Sequence, residues 1–590
     1  MRNIQPPLSE NSLSYQKLLS NRAEIEYDTT MIKGMFERIS APVRGLHQAA
    51  YLLAGLTLAS QMLALLRDRV FAHTFGAGEV LDLYYSAFRV PDIVFALVAS
   101  LVSAYVLIPR ITGMDRESTR RLLSESASFL FGFGGIICIV LAIFMPQFLS
   151  FLYPSLASSA YQAEFVLLSR ILLIQPILLG LSGILASVTQ VHRRFTLFAL
   201  SPVLYNVGII IGAVFLYPLW GLTGIGIGVI LGAVAYLAVN IPVVVSAGVM
   251  PRLCIPTFST ISSVIRDSVP RSLALGVGSF VALALTAIAS RIGTGAVSVF
   301  TFAINLEAVP LALIGSSYAV AAFPSLSEAS AIEKREEFTG ILSSSARHII
   351  LWSMVSLGLI IVLRAHIVRV ILGTGAFDWN ATRLTAALLA VLAIGLAAQG
   401  LAILFSRALY AVRQSWRPLL YQLSGGALTI ILAIAFLSGG KDGLPSSLAV
   451  LMRVGDVHGT GILLLALAAT IGQIFLAILS LIAIRNVTPG LARTLVRPFI
   501  DGTVAAIAGG AVAYGVLFLE GGIAPLTTLM SVFTQGLIAG ILGLCASALA
   551  LFVIENEEFR IVTNSLVRIV RSSRERSDAL TPSAEEPIHP

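Results

Sequence analysis

The sequence predicts an all-α polytopic membrane protein of about fourteen transmembrane helices, and three observations carry that expectation. Hydrophobic residues make up 57% of the 590-residue chain and charged residues only 12%, a balance outside the range of soluble domains. Apolar stretches long enough to cross about 30 Å of hydrocarbon recur along its length. Lys and Arg then collect in alternate loops, as the positive-inside rule requires.

In chain order the spans are read at 50–75, 81–109, 126–150, 162–190, 197–217, 221–248, 270–292, 296–324, 347–372, 382–412, 417–438, 459–484, 498–520 and 530–554. Pro91 should kink the second, because proline removes a helix hydrogen bond. The sixth carries "GIGIG" at 224–228, part of a dinucleotide fingerprint in appearance. No strand precedes it, and Gly224, Gly228 and Gly232 recur every four residues, which is the small-residue ladder of a packed membrane helix.

With both ends placed in the cytoplasm, the inner loops hold Arg110, Arg116, Arg120, Arg121, Arg193, Arg194 and further cations as far as Arg497, whereas the outer loops hold only Lys441 and Arg453. The net charge of +8 is thereby explained as a topology signal, and nucleic acid is not expected as a partner. Residues 1–45 read as a cytoplasmic tail and not a signal peptide, because no apolar core adjoins a cleavage site. The tail after Glu555 is equally polar, with a disordered end expected. Cys138, Cys254 and Cys545 lie far apart in or beside apolar segments, so neither a disulfide nor a metal site is expected. No nucleophile elbow, zinc-protease pattern or phosphate loop occurs, and an enzyme is not expected.

The informative departure from apolarity is "LALLRDRVFAHTFGAGEVLDLYYSAFRVP" at 63–91. Thr57, Ser60, Gln61, Ala64, Arg67 and Asp68 recur at intervals of three and four, one stripe on an otherwise apolar helix. A charge in mid-membrane costs at least about 2.5 kcal/mol, so the stripe must face water or protein. The next helix repeats the pattern with Asp82, Ser86, Arg89, Ala96, Ser100 and Ser103. The two stripes are expected to line one polar cavity. Arg67 lies about 21 Å into the first helix at 1.5 Å per residue, and its place on the stripe favours the cavity. Arg69 lies off it and is expected to snorkel to the outer interface.

An internal echo supports a transporter. "FGAG" at 75–78 with "AFRVP" at 87–91 returns as "IGTG" at 292–295 with "LEAVP" at 306–310, as in carriers that rock two bundles around a central site. The second stripe, Ser298, Thr301, Asn305, Ala308, Ala312 and Ser316, is uncharged, so the cavity should be more basic on its first wall. Glu307 falls off the stripe and is expected to contact a neighbouring helix.

These residues resemble the signature of the MurJ/MviN lipid II flippases, within the multidrug/oligosaccharidyl-lipid/polysaccharide exporter superfamily. "LRDRVFAHTFGAGEVLDLYYSAFRVPD", "RRFTLFALSPVLYNVGIIIG" at 193–212, "AAFPSLSEA" at 321–329, "GTGAFDWNATRLTAALLAVLAIGL" and "FSRALYAVRQSWRP" carry the likeness, across roughly 50–555. It implies a V of two six-helix lobes, with helices 1–6 over 46–248 and helices 7–12 over 249–484, followed by helices 13–14 over 485–555 and a cytoplasmic tail over 556–590. It also implies movement of an undecaprenyl-pyrophosphate-linked peptidoglycan precursor from the inner to the outer leaflet of the bacterial plasma membrane by alternating access. By position the family's charged residues match Arg67, Asp68, Asp82 and Arg89. Gln61, Ala96 and Asn305 stand where the family has arginines thought to grip pyrophosphate, a task suited to a planar guanidinium. Substrate-binding residues are therefore expected at Arg67, Asp68, Arg89, Asp82, Gln61 and Asn305. No cofactor is expected. The carboxylate of a sodium site is missing from helices 7 and 11, and coupling to the membrane potential or to a cation is left open. The substrate, the bilayer and cell-wall synthesis proteins are the expected partners. Two alternatives stand beside the flippase: an exporter of drugs or another lipid-linked glycan, and a non-transporting wall-synthesis scaffold.

Overall fold

In the computed structural model, residues 46–564 are described except 159, 415, 440–448, 451, 486 and 522–527. The N-terminal tail over 1–45, the outer Lys441 and residues 565–590 lie outside the described residues.

Every apolar stretch becomes helix, since in hydrocarbon a helix satisfies its own backbone. The first lobe comprises α1 (Leu46–Phe75), α2 (Glu79–Leu97, bent by 41° into Ala99–Ile111), α3 (Arg116–Leu152), α4 (Gln162–Val191), α5 (195–219) and α6 (222–246). The second comprises α7 (Phe258–Ala289), α8 (Ala296–Ala331), α9 (Arg335–Ile371), α10 (Trp379–Ala393, bent by 48° into Leu396–Ala411), α11 (Trp416–Gly439) and α12 (Ile462–Ile484). The pair α13 (Val496–Gly521) and α14 (Leu529–Val553) follows. By length and composition ten helices, or twelve with the two bent pairs, are fit to cross a membrane. Dividing 195–246 at its non-helical Trp220–Gly221 break and adding α1 recovers the expected fourteen.

Several helices start earlier than hydropathy indicates. α3 begins at Arg116 and not near 126, α7 at Phe258 and not near 270, and α9 at Arg335 and not near 347. Their added turns carry polar and charged residues, so apolar content no longer reports helix there. Asp115 marks the true start of α3 by accepting hydrogen bonds from the Glu117 and Ser118 amides, both at 3.1 Å.

The glycine ladder packs as read. A Cβ on Gly228 would stand 2.3 Å from the Gly212 Cα, and one on Gly208 would stand 2.4 Å from the Gly232 Cα, so α5 and α6 touch backbone to backbone. α13 and α14 lie on the second lobe, where Gly358 of α9 meets Ala506 backbone. The C-terminal segment is docked at its start: Asn556 and Glu558 are buried, Glu558 pairs as an ion with Arg347 at 3.0 Å and Asn556 donates to Asp501 at 2.8 Å. Apolar side chains such as Phe151, Leu219 and Phe518 are widely exposed on the outside of the bundle, the surface that lipid covers.

The bundle has two unlike ends. One, the seal end, carries the loops after α1, α7 and α9. The other carries the loops after α2, α4, α6, α8, α10 and α12, with most of the loop arginines. The expected span at 270–292 takes in Arg291, but α7 ends at Ala289, so Arg291 falls in a seal-end loop. It adds one cation to the sparse side without reversing the bias.

Candidate functional site

The charged stretch of α1 lies where the two lobes meet. Arg67 donates through Nε and Nη2 to Oδ1 of Asp68, at 3.1 and 2.8 Å, and through Nη1 to Oδ1 of Asn206 on α5 at 3.1 Å. The second oxygen of Asp68 accepts Nδ2 of Asn305, from α8 in the other lobe, at 2.9 Å. One carboxylate thus joins the lobes while neutralising the arginine beside it. The Asp68 side chain is 3% exposed and that of Arg67 is 19% exposed, so the pair is largely enclosed by protein and a small part of the arginine side chain is open. A guanidinium has five N–H donors, of which these bonds occupy three.

Gln61 lies two turns nearer the arginine end, half-buried and without a side-chain hydrogen bond among the described residues. The adjoining face of α1 is open, with Leu58, Met62 and Leu66 exposed. Gln61 and Arg67 are thus the partly exposed members of the α1 stripe, beside an exposed apolar face.

The α2 stripe does not. Asp82, Ser86, Ala96 and Ser100 are buried, and so are Ser298 and Thr301 of the second-lobe stripe. Asp82 accepts the Gly295 amide at 2.6 Å on Oδ2, and the Ser298 amide at 2.8 Å and hydroxyl at 2.6 Å on Oδ1. It caps the N-terminus of α8 from the opposite lobe, where a carboxylate meets orphan amides and the positive end of the helix dipole. Ser100 likewise bonds Ser272 of α7 at 2.6 Å. A polar stripe on a membrane helix is satisfied by protein as well as by water, and period alone does not separate the two. Asp82 is consequently part of the lobe junction and presents no free oxygen to a ligand.

Arg89 bridges the same junction, donating Nε to Thr286 of α7 at 2.9 Å, with Asp92 at 3.8 Å; its side chain is 18% exposed. Arg69 does not reach for an interface as expected. It donates to the carbonyls of Val370, at 2.5 Å, and Ile371 at the end of α9, the unsatisfied acceptors of a helix C-terminus. Glu307 does contact a neighbouring helix, accepting Nε2 of Gln399 on α10 at 2.5 Å.

The echoed loops pack against each other at the seal end. Gly295, at φ +82°, lies so close to Ala77 that a Cβ would stand 2.4 Å from its carbonyl oxygen; Gly76, at φ +63°, approaches Ala376 equally closely. Only glycine suits both demands. Below them Phe71, Tyr84, Tyr85, Phe302 and Phe377 form a chain of edge-to-face contacts, with Phe71 to Tyr84 at 4.9 Å and Tyr85 to Phe302 at 5.9 Å. This plug closes the seam above Arg67. Of the expected residues the structure joins Arg67, Asp68 and Asn305 directly, leaves Gln61 further along the open face of α1, and puts Asp82 and Arg89 in the junction.

Sequence reading passed over Asn206, Thr286 and Gln399. Each is a lone polar residue on an apolar helix, and only the fold supplies its partner. No cluster of His, Cys, Asp and Glu suited to a metal ion occurs among the described residues.

A family model described as lipid II flippase MurJ matches residues 71–534. A lipid II flippase MurJ from Burkholderia cenocepacia is 26% identical over 363 residues, covering 60% of this chain and 70% of its own. A probable lipid II flippase MurJ from Bdellovibrio bacteriovorus is 26% identical over 464 residues, covering 76% and 84%. Among solved structures, a lipid II flippase MurJ in an inward closed conformation superposes with a TM-score of 0.68 at 20% identity, over 86% of this chain and all of that one. An inward-facing multidrug resistance transporter of the MATE family gives a TM-score of 0.59 at 17% identity, over 75% of this chain and 99% of that one. The fold is that shared by both groups.

Proposed function

The chain belongs to the lipid II flippase MurJ family, and on that premise we propose that it carries a lipid-linked peptidoglycan precursor from the cytoplasmic to the outer leaflet of the plasma membrane by alternating access. The observation that carries this reading is the asymmetric seam: plugged at the seal end, with Arg67 and Gln61 accessible below the plug. The positive-inside rule puts the seal end outside and both termini in the cytoplasm, so the accessible face receives substrate from the inner leaflet.

Arg67 is the group suited to the pyrophosphate. Its unused N–H donors match phosphate oxygens in a plane. An incoming pyrophosphate competes with Asp68 for the same guanidinium, and drawing Arg67 away leaves the Asp68 carboxylate, held to Asn305 of the other lobe, without its countercharge at the seam. Substrate binding is thereby tied to parting of the seam, as required of a ligand that shifts a conformational balance by differential affinity. Movement to an outward-open state must also release Asp82 from the end of α8.

Complementation tests the assignment. Expressed in cells depleted of their own lipid II flippase, the chain should restore growth and abolish precursor accumulation. Failure to do so, with the protein present in the membrane, favours a drug or glycan exporter or a wall-synthesis scaffold. Transport in vesicles treated with ionophores separates coupling to the membrane potential from coupling to a cation. Cell-wall synthesis proteins are the proposed macromolecular partners, and co-purification from crosslinked membranes tests them.

A further inference from the structure

Glu307 on α8 is buried and takes no part in the lobe junction. Its carboxylate accepts Gln399 of α10 and makes no ion pair among the described residues. The charged groups on the helices packed around it are engaged elsewhere. Asp68 pairs with Arg67, Asp82 caps α8 and Arg89 bonds Thr286. His348 of α9 meets Tyr318, about three turns along α8 from Glu307, and Arg407 of α10 lies over the Phe323 ring at 5.9 Å, about four turns along. α12 carries no charged residue from Ile462 to Ile484. Gln399 stands just past the 48° break in α10, and broken helix at membrane depth is tolerated where it is packed in protein or lines water. With Gly278 it lines the deep end of a cavity of about 440 Å³, whose other end, at Arg271 and Tyr410, points toward the arginine-rich side of the bundle. Apolar side chains form most of that wall, with Gln422 and Gln473 among them, which leaves room and polar partners for water. α7 forms one side of the cavity and is tied to the first lobe, Ser272 by Ser100 at 2.6 Å and Ser268 by the Leu101 carbonyl at 2.7 Å. Rocking of the lobes therefore moves that wall.

We propose that Glu307 is a proton-binding site and that the proton it carries is the ion coupled to transport. An ionised carboxylate with one amide for a partner and no countercharge is not repaid for leaving water, whereas the neutral acid suits such a site. Ionisable groups at membrane depth serve as proton relays on this ground. α8 borders two spaces, the cavity through Glu307 and Gln399 and the seam through Asn305 and Ser298. The carboxylate takes a proton from outer water while the seam is parted at the seal end, and gives it to the water of the cavity in the inward state, before the loaded lobes rock outward. Only the carboxyl O–H bond forms and breaks. The coupling to a lipid-linked cargo rests on the flippase reading, with protons entering as the precursor leaves.

Infrared difference spectroscopy of the purified full chain tests the site without any lipid. Wild type at neutral pH should show the carbonyl band of a buried, protonated carboxyl group, displaced in heavy water, shifted in Glu307→Asp and absent from Glu307→Gln. Wild type and Glu307→Gln that do not differ in that band overturn the proposal. Reconstituted vesicles test the coupling. The potential is clamped with potassium and valinomycin, a pH gradient of about one unit is imposed with acid on the seal-end side, and lipid II is counted in each leaflet. Wild type should shift the leaflet ratio by about tenfold per proton coupled. Glu307→Asp should keep that response, and Glu307→Gln should lose it while still binding lipid II. A response retained by Glu307→Gln overturns the proposal. So does a wild type that ignores the pH gradient but moves lipid II under a potential, which leaves the flippase reading standing. A wild type that moves lipid II under neither overturns that reading, and the infrared band still decides whether Glu307 holds a proton.

Discussion

Arg67 and Arg69 lie two residues apart on α1 and do different work. Arg67 stays partly exposed beside the seam, and Arg69 is spent on the last carbonyls of α9. Arg67→Ala removes a charge that is costly at membrane depth, so the variant should insert and accumulate normally yet fail to sustain growth in the depletion strain. Loss of the protein from the membrane would show instead that Arg67 is structural. Arg69→Ala strips a helix end of its cap, which costs about 0.5–1 kcal/mol. It should lower the thermal midpoint of the purified protein slightly and leave substrate affinity unchanged. The sequence alone made Arg69 an interface residue, because snorkelling is the default for an arginine near a helix end and the carbonyls it binds belong to a helix some three hundred positions away. Arg67 was legible because its stripe is local to one helix. Asp82 was legible as polar and in line with Arg89, but its task, capping α8, depends on where the other lobe's helix begins.

Helices were legible to the extent that hydrocarbon dictates them. All fourteen spans follow from apolar length, and the Gly224, Gly228 and Gly232 ladder correctly indicated close packing of α6, because glycine at a four-residue interval leaves one face without side chains. The starts of α3, α7 and α9 were hidden because their first turns are polar. Packing at the ladder gives a direct check. Gly228→Ala would push a methyl to 2.3 Å from the Gly212 backbone, and backbone cannot yield as a side chain can. A cost of about 1–3 kcal/mol is expected from such overpacking. Gly183 on α4 has nothing within 4 Å of a built Cβ, so Gly183→Ala should be neutral or mildly stabilising. The comparison is made by thermal unfolding in one detergent. Similar midpoints for the two variants would mean that α5 and α6 are not in backbone contact.

At the scale of the molecule, the lobes are joined by a few polar bonds and a plug, and the cycle must break them in order. Ser298 reports that event because its side chain is fully buried against Asp82 in this state, whereas Gln61 lies on the open face of α1. In a background with Cys138, Cys254 and Cys545 replaced, Gln61→Cys should react readily with a charged thiol reagent and Ser298→Cys should resist it. Asp82→Ala removes the carboxylate that holds the Gly295 and Ser298 amides and leaves both without their partner, a loss of about 2 kcal/mol or more for buried donors. That is a tenfold or greater shift of a two-state balance toward separated lobes. Labelling of Ser298→Cys should therefore rise about tenfold when Asp82→Ala is added, while labelling of Gln61→Cys should fall as the inner opening closes in the same population. A parallel rise at both positions would indicate local loosening of α8 and not rocking of the lobes. No change at Ser298 would place the gate elsewhere and leave Asp82 as a static cap.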